Sequence, residues 1–231
     1  MHKANLSKKF SFCKKGLKYE LIANNKPFLT PAKNKILLPL NLIKSIIEEL
    51  NNSNDKITPE LMPVFSFCLT AIDKVLPNRQ TINNEILNYF ITDTLFYRDN
   101  KNINLKLEQE RLYDPVIKIF EKNLKVNIVL SEYTLPVKQS DNANKKMFLF
   151  INEIDDFELT VLYQLVNISS SLILSYLLFN KIISSEVFIS LSFLEENFQE
   201  AKWGLEPDSI KKKSAISKNL NEVLHFLELL H

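Results

Sequence analysis

From Leu159 to Phe179 the chain carries no charged side chain, and this run limits the fold more than any other feature. A stretch of that length and character has two homes, the hydrocarbon of a bilayer or a packed protein interior. Its polar residues decide between them. Asn167, Ser169, Ser170 and Ser171 fall at the middle of the run, where hydrocarbon tolerates polar groups least, and Gln164 and Ser175 interrupt the rest. The expectation is one buried central helix and no stable membrane insertion. The chain around it must be long enough to enclose it, and 231 residues are.

The pattern before that run changes period once. Leu17, Tyr19 and Leu21 alternate with Lys18 and Glu20, the chain breaks at Asn24-Asn25-Lys26-Pro27, and apolar residues resume at Phe28 and Leu29, which predicts a β-hairpin. A second turn at Pro31-Ala32-Lys33-Asn34 leads to Ile36, Leu37 and Leu38. Pro39 stops that strand, and a helix follows from about Asn41 with Leu42, Ile43, Ile46, Ile47 and Leu50 on its inner face. The polar stretch Asn51 to Lys56 is the candidate boundary, dividing a hairpin-rich domain with one helix (1–55) from a helical domain (56–231).

Helical spacing dominates after it. Pro59 or Pro63 suits a first turn, and the apolar positions run through Val64, Cys68, Leu69, Ile72, Val75 and Leu76 until Pro77-Asn78. Thr81 is read as the cap of a helix using Ile82, Ile86, Phe90 and Leu95, and another begins near Asn104, with Pro115 dividing it. Val126 to Tyr133 is β-prone. Met147 to Ile151 opens a second helical half, and the last helix starts near Asp208 with Leu220, Val223, Leu224 and Leu227 inside. The fold class is therefore α+β, a small β-containing N-terminal domain followed by a larger all-helical one.

Several kinds of chemistry are excluded by what the chain lacks. It has only two glycines, Gly16 and Gly204, which removes both glycine-dependent phosphate loops. Cys13 and Cys68 form no CxxC, and His2, His225 and His231 sit at the extremes, so no metal cluster is expected. The adjacent acids Asp155-Asp156 and Glu195-Glu196 diverge by about 100° on a helix and do not face one substrate. Asp155 is better read as a helix N-cap with Glu158 completing a capping box. Ser169 to Ser171 has neither a glycine elbow nor a nearby histidine. No catalysis, cofactor or metal is expected; Arg98, Arg111, Tyr113 and Asp114 are read as a structural polar network.

Net charge is +2, but the first forty residues hold nine lysines and one acid, Glu20, leaving the remainder near −6. The lysines alternate with apolar residues instead of forming a block, as solvated strand faces do, and no nucleic-acid partner is expected. Lys8-Lys9-Phe10-Ser11-Phe12 reads as an edge strand. No apolar signal region precedes it.

Ser184 to Gly204 reads as a two-faced helix, capped by Ser184 and ended by Gly204. Val187, Leu191, Leu194, Phe198 and Ala201 form its inner stripe, while Ile189, Phe193, Glu196, Glu200 and Trp203 line the opposite face. Glu196 and Glu200 are like charges one turn apart near a helix C-terminus, where the macrodipole disfavours anions. Something basic must answer them. Lys202 and the run Lys211, Lys212, Lys213 would do so from within the chain, and a basic partner would do so from outside.

The motifs resemble those of the F-type ATP synthase assembly chaperones that hold the alpha subunit of the catalytic head before it meets beta. The resemblance runs through Lys8-Lys9-Phe10, Asn25-Lys26-Pro27-Phe28-Leu29-Thr30-Pro31, Leu38-Pro39, Met62-Pro63, Ala71-Ile72-Asp73, Asp93-Thr94-Leu95-Phe96-Tyr97-Arg98 and Tyr113-Asp114-Pro115. Its most specific part is Glu195-Glu196-Asn197-Phe198-Gln199-Glu200-Ala201-Lys202-Trp203-Gly204. The chain departs from the family at Leu50, where a tryptophan is usual, and at Ser170-Ser171, which replaces a Gly-Ser pair. The resemblance implies a binding protein without ATP hydrolysis that receives the unassembled alpha subunit, and the second face of the 184–204 helix, with its poorly placed carboxylates and outward aromatics, makes Phe193, Glu196, Glu200 and Trp203 the expected receiving surface. It also implies the mitochondrial matrix or the bacterial cytoplasm. Because it starts within the first ten residues, the cytoplasm is expected, with a monomer when free. A helical interaction module for a different partner and a small helical enzyme are the alternative readings.

Overall fold

The computed structural model describes residues 10–53, 58, 61–132, 137–204 and 207–231; the readings at His2, Lys8, Lys9, Lys56, Pro59 and Tyr133 fall outside them. The alternating N-terminal residues form a four-stranded antiparallel sheet ahead of a helical chain, the α+β order read from the sequence. Strand β2 (Lys18–Ala23) pairs with β1 (Phe10–Lys15), β3 (Lys26–Pro27) and β4 (Leu37–Leu38). The β2–β3 turn works because Asn24 and Asn25 both adopt positive φ, which asparagine tolerates better than other side chains. Leu21, Ile36 and Leu38 are buried with Leu42, Ile43, Ile46 and Leu50 of α1 (Leu40–Asn52). Sheet and helix thereby share one apolar layer.

Helix α2 (Pro63–Thr70) has its proline in the first turn, where a missing N–H costs nothing. Glu49 on α1 completes that end, its two carboxylate oxygens accepting from the Val64 and Phe65 N–H groups at 2.9 Å each. Pro77 does not end the helical run. A π-helical turn (Ala71–Val75) and a 3-10 turn (Leu76–Asn78) carry the chain directly into α3 (Arg79–Ile91), with Pro77 in the first turn of the 3-10 segment. Thr81 consequently lies inside α3 and caps nothing. Helix α4 (Ile103–Leu124), capped by the Asn102 side chain, likewise runs undivided through Pro115. Tyr113, Val116 and Ile117 are buried on both sides of it, and that packing outweighs the roughly 3 kcal/mol a proline costs a helix interior.

The β-prone run from Val126 makes no strand among the described residues. Gln139 takes the place of a neighbouring strand, accepting from the Val129 N–H at 3.0 Å and donating to its carbonyl at 2.9 Å, and the one bridge nearby joins Tyr97 to Ser131.

The uncharged run is buried, but it is two helices. After α5 (Asp141–Glu153), α6 (Asp156–Ser169) and α7 (Leu172–Phe179) are separated at Ser170, whose φ of +54° breaks the helix. The hydroxyls satisfy the break: the Ser171 N–H donates to Ser169 Oγ at 3.1 Å, and Ser171 Oγ caps α7 by accepting from the Leu174 N–H at 3.1 Å. Asp93, fully buried, holds the new helix start, accepting from the Leu95 N–H at 3.1 Å with one oxygen and from the Ile173 N–H at 3.0 Å with the other. Among the described residues no helix is long and apolar enough to cross a membrane.

Contacts group the chain into two units, Met1–Arg79 with Asp156–Thr160 and Leu224–His231, and Gln80–Asp155 with Val161–Val223. The boundary expected after residue 55 falls inside the first. The reason is Asp73, in the π-helical turn, which accepts from Thr30 Oγ1 (2.6 Å), the Ala32 N–H (3.1 Å) and Asn34 Nδ2 (2.8 Å) and so ties the turn before β4 to the helices beyond the linker. Partial burial pushes its carboxyl up, but those donors together hold it below the ordinary carboxylate range. Edge-to-face pairs of Phe90 with Phe96 (5.6 Å) and Phe120 with Tyr176 (5.5 Å) mark the core of the second unit.

Candidate partner-binding site

The expected helix from Ser184 to Gly204 is also two. Helix α8 (Ser185–Ser192) begins at Ser184, whose hydroxyl accepts from the Val187 N–H, and ends at Phe193, whose φ of −116° and ψ of 25° leave the helical region. Helix α9 (Leu194–Trp203) starts afresh. The turn rotates the faces, so the inner residues are Phe188, Leu191 and Leu194; Val187 and Ala201 are exposed and Phe198 is half-buried. Gly204 ends α9 with φ +95° and ψ 159°, an extended conformation open to glycine in place of the left-handed helical cap expected. In α10 (Pro207–Leu230), Leu220, Val223, Phe226 and Leu227 are inside and Leu224 only partly.

Because Glu196, Glu200 and Trp203 all lie within α9, their spacing survives the break, and they line a shallow depression of about 330 Å³ with Gln199 and Ser209. Phe193 lies apart at the turn. The carboxylates are answered from within the chain. Lys212 Nζ donates to Glu196 at 3.1 Å while standing 5.9 Å over the Phe193 ring, and Lys213 Nζ donates to Glu200. Lys213 first, then the Ser209 hydroxyl, hold the Glu200 carboxyl below its usual range. Lys202 and Lys211 do other things: Lys202 lies 5.3 Å over the Trp203 ring, and Lys211 reaches Asp208 at 3.8 Å. The two pairs differ in exposure. Glu196 is 46% exposed, whereas Glu200 is 18% exposed. Trp203, the single tryptophan, is 79% exposed.

One neighbour of this face was not legible in the sequence. Gln109, buried on α4, donates to Glu195 at 2.9 Å and accepts from the Asp99 N–H at 2.7 Å, fixing the start of α9 to α4. A buried glutamine on an otherwise apolar face is the one signal that would have marked it. Of the polar network, Arg98 pairs with Asp114 and lies 5.4 Å from the Tyr113 ring, but Arg111 pairs with Glu108 instead. Burial, then the charge of Glu195, pushes the Tyr113 hydroxyl up. A second depression, about 480 Å³ between α3 and α5, is walled by Leu87, Ile91, Val137 and Phe148 with Lys138 and Lys145 at its margin. Among the described residues no group of histidines, cysteines and acids has metal-binding geometry.

A small antiparallel sheet followed by helices is an architecture already solved in chaperones. The structure of Atp12 from Paracoccus denitrificans, and that of a point variant of it, superpose with a TM-score of 0.88 at 25% identity, covering 96% of each chain. The Atu1473 protein of Agrobacterium tumefaciens has the same fold, with a TM-score of 0.88 at 22% identity over 98% of this chain and 85% of that one. A search of curated proteins gives no match. The family model described as ATP12 chaperone protein matches residues 3–121. The chain belongs to this ATP12 family, the assembly chaperones its motifs resemble.

Proposed function

We propose that this protein binds the unassembled alpha subunit of an F-type ATP synthase and covers its apolar surface until beta replaces it, acting as a monomer and without catalysis. Its place is where that subunit is assembled, the bacterial cytoplasm or the mitochondrial matrix. Exposed apolar surface on an unpaired subunit is an aggregation hazard, and a chaperone that covers it must itself present apolar surface. The observation that carries this reading is Trp203, which stands exposed beside a half-exposed carboxylate on α9. Tryptophan is among the residue types on which interfaces concentrate their energy.

The four residues of the proposed surface, Phe193, Glu196, Glu200 and Trp203, have unequal roles. The Lys212–Glu196 pair is exposed at both ends, so separating it costs little and Glu196 is free to exchange Lys212 for a basic group of the partner. Glu200, held by Lys213 and Ser209, positions α10 against α9. Glu196→Lys and Trp203→Ala are therefore expected to weaken alpha-subunit capture at least tenfold each with unchanged melting temperature, since breaking an interfacial charge pair costs roughly 2–5 kcal/mol and truncating a central interfacial tryptophan about 2 kcal/mol or more. Capture is measured by pull-down of alpha subunit from extract. Undiminished capture by both variants removes α9 from the interface, and recovery of some other protein by the wild type overturns the choice of partner.

A further inference from the structure

The hairpin joining β1 to β2 carries more charge and more apolar exposure at its tip than its own folding explains. Gly16, at φ +63°, supplies the positive φ that a two-residue hairpin connection demands of its first position. The second position demands nothing of its side chain, yet it is Leu17, 97% exposed. Around it Lys14, Lys15 and Lys18 are all exposed. The strand register sets Lys15 directly opposite Lys18, a like-charge cross-strand pair that destabilises a hairpin. One acid answers them: Glu20, 4.0 Å from Lys15, with a side chain only 6% exposed and so turned away from solvent. Beyond the tip, Phe12 and Tyr19 stack edge to face at 5.3 Å on the side of the sheet that carries Lys14.

We propose that this tip docks on an anionic lipid surface, with Leu17 entering the acyl boundary and the three lysines at headgroup level. Charge complementarity selects the partner's sign, and the protruding aliphatic side chain selects lipid. A nucleic-acid surface is disfavoured, because the protruding residue of the tip is a leucine with no face for a base to stack on, the two aromatics beyond it pack edge to face on each other, and the chain has no arginine before Arg79. One leucine and three lysines give weak, reversible attachment, compatible with a chain in which no described helix crosses a membrane. The proposal does not depend on the identity of the subunit that α9 receives.

The test is co-sedimentation of the full-length protein with vesicles of phosphatidylglycerol and phosphatidylcholine, against vesicles of phosphatidylcholine alone. The expected result is binding to the anionic vesicles at low salt, loss of it at high salt, and none on the neutral ones. Each lysine replaced in the series Lys14→Gln, Lys15→Gln and Lys18→Gln is expected to lower partitioning about fivefold, and Leu17→Ser at least fivefold. All four positions are exposed, so these variants keep the fold, and unchanged circular dichroism checks that they do. Absence of binding to anionic vesicles at low salt overturns the proposal, as does binding that the triple variant retains. Binding indifferent to Leu17→Ser, or competed by a single-stranded oligonucleotide, overturns it in favour of bare charge attraction to any polyanion.

Discussion

Asp73 and Asp93 do the same mechanical work in the two units of the chain under opposite conditions. Each carboxylate gathers donors from a neighbouring stretch and fixes how that stretch enters the next element: Asp73 holds the turn from Thr30 to Asn34, and Asp93 holds the start of α7. Asp73 does so near solvent, where its donors hold the carboxyl below the ordinary range. Asp93 does so in full burial, which raises its carboxyl to about 6 in spite of the donors from Ile173, Ser171, Leu95 and Leu172. Hydrogen bonds to a carboxylate thus stabilise it in both places, and the surrounding medium decides which sign the sum takes.

The comparison breaks most visibly at Asp93. Asp93→Ala is expected to cost about 3–5 kcal/mol, because the Leu95 and Ile173 N–H groups are left buried without an acceptor. Urea denaturation at neutral pH measures it, and a loss below about 1 kcal/mol would show that the α6–α7 break holds without the carboxylate.

A second measurement sharpens the opposition of sign. A carboxyl raised from 3.8 to about 6 in the folded state contributes stability that is full below 3.8 and lost as pH rises through 6, roughly 3 kcal/mol over that window. A carboxyl lowered in the folded state contributes stability that is full above 3.8 and lost as pH falls through its folded value. The stability deficit of Asp93→Asn relative to wild type should therefore widen between pH 7 and pH 5, and that of Asp73→Asn should narrow below pH 4. Parallel deficits would mean that the two environments do not differ.

The smallest effect belongs to the half-buried member. Asp73→Ala is expected to cost about 1–2 kcal/mol, since solvent replaces the lost acceptor for Ala32 and Asn34. Limited proteolysis in the 30–34 turn reports it more sensitively than the unfolding midpoint.

The same pair shows what the sequence made legible. Periodicity located strand β2 and the inner face of α1, and the lack of charge located the buried run from Leu159 to Phe179, because each depends on residues close together in the chain; it placed Leu17 in the strand and Lys26-Pro27 in the turn, where the structure has a hairpin tip and β3. It missed every change of direction imposed from a distance. The turn at Ser170 is bound by Asp93 across many residues, and Gln139 replaces a strand beside Val129. Neither leaves a local signal. Pro77 and Pro115 misled in the other direction, one sitting where a proline is harmless and the other held by packing. At the candidate site the three residues of α9 kept their spacing, while Phe193 left it by becoming the turn itself. The cations that answer Glu196 and Glu200 were already visible as the lysine run. Which lysine met which acid awaited the packing of α10.

The turn at Ser170 also sets how long an uncharged helix the fold contains. The run from Leu159 to Phe179 carries no charge, and as one continuous helix it would approach the length of a membrane-crossing segment. Cut into a 14-residue and an 8-residue helix, with hydroxyls at the join, neither piece reaches the roughly 20 apolar residues that insertion requires. The serines at that join therefore divide the run within the fold into two segments, each shorter than a membrane-crossing helix.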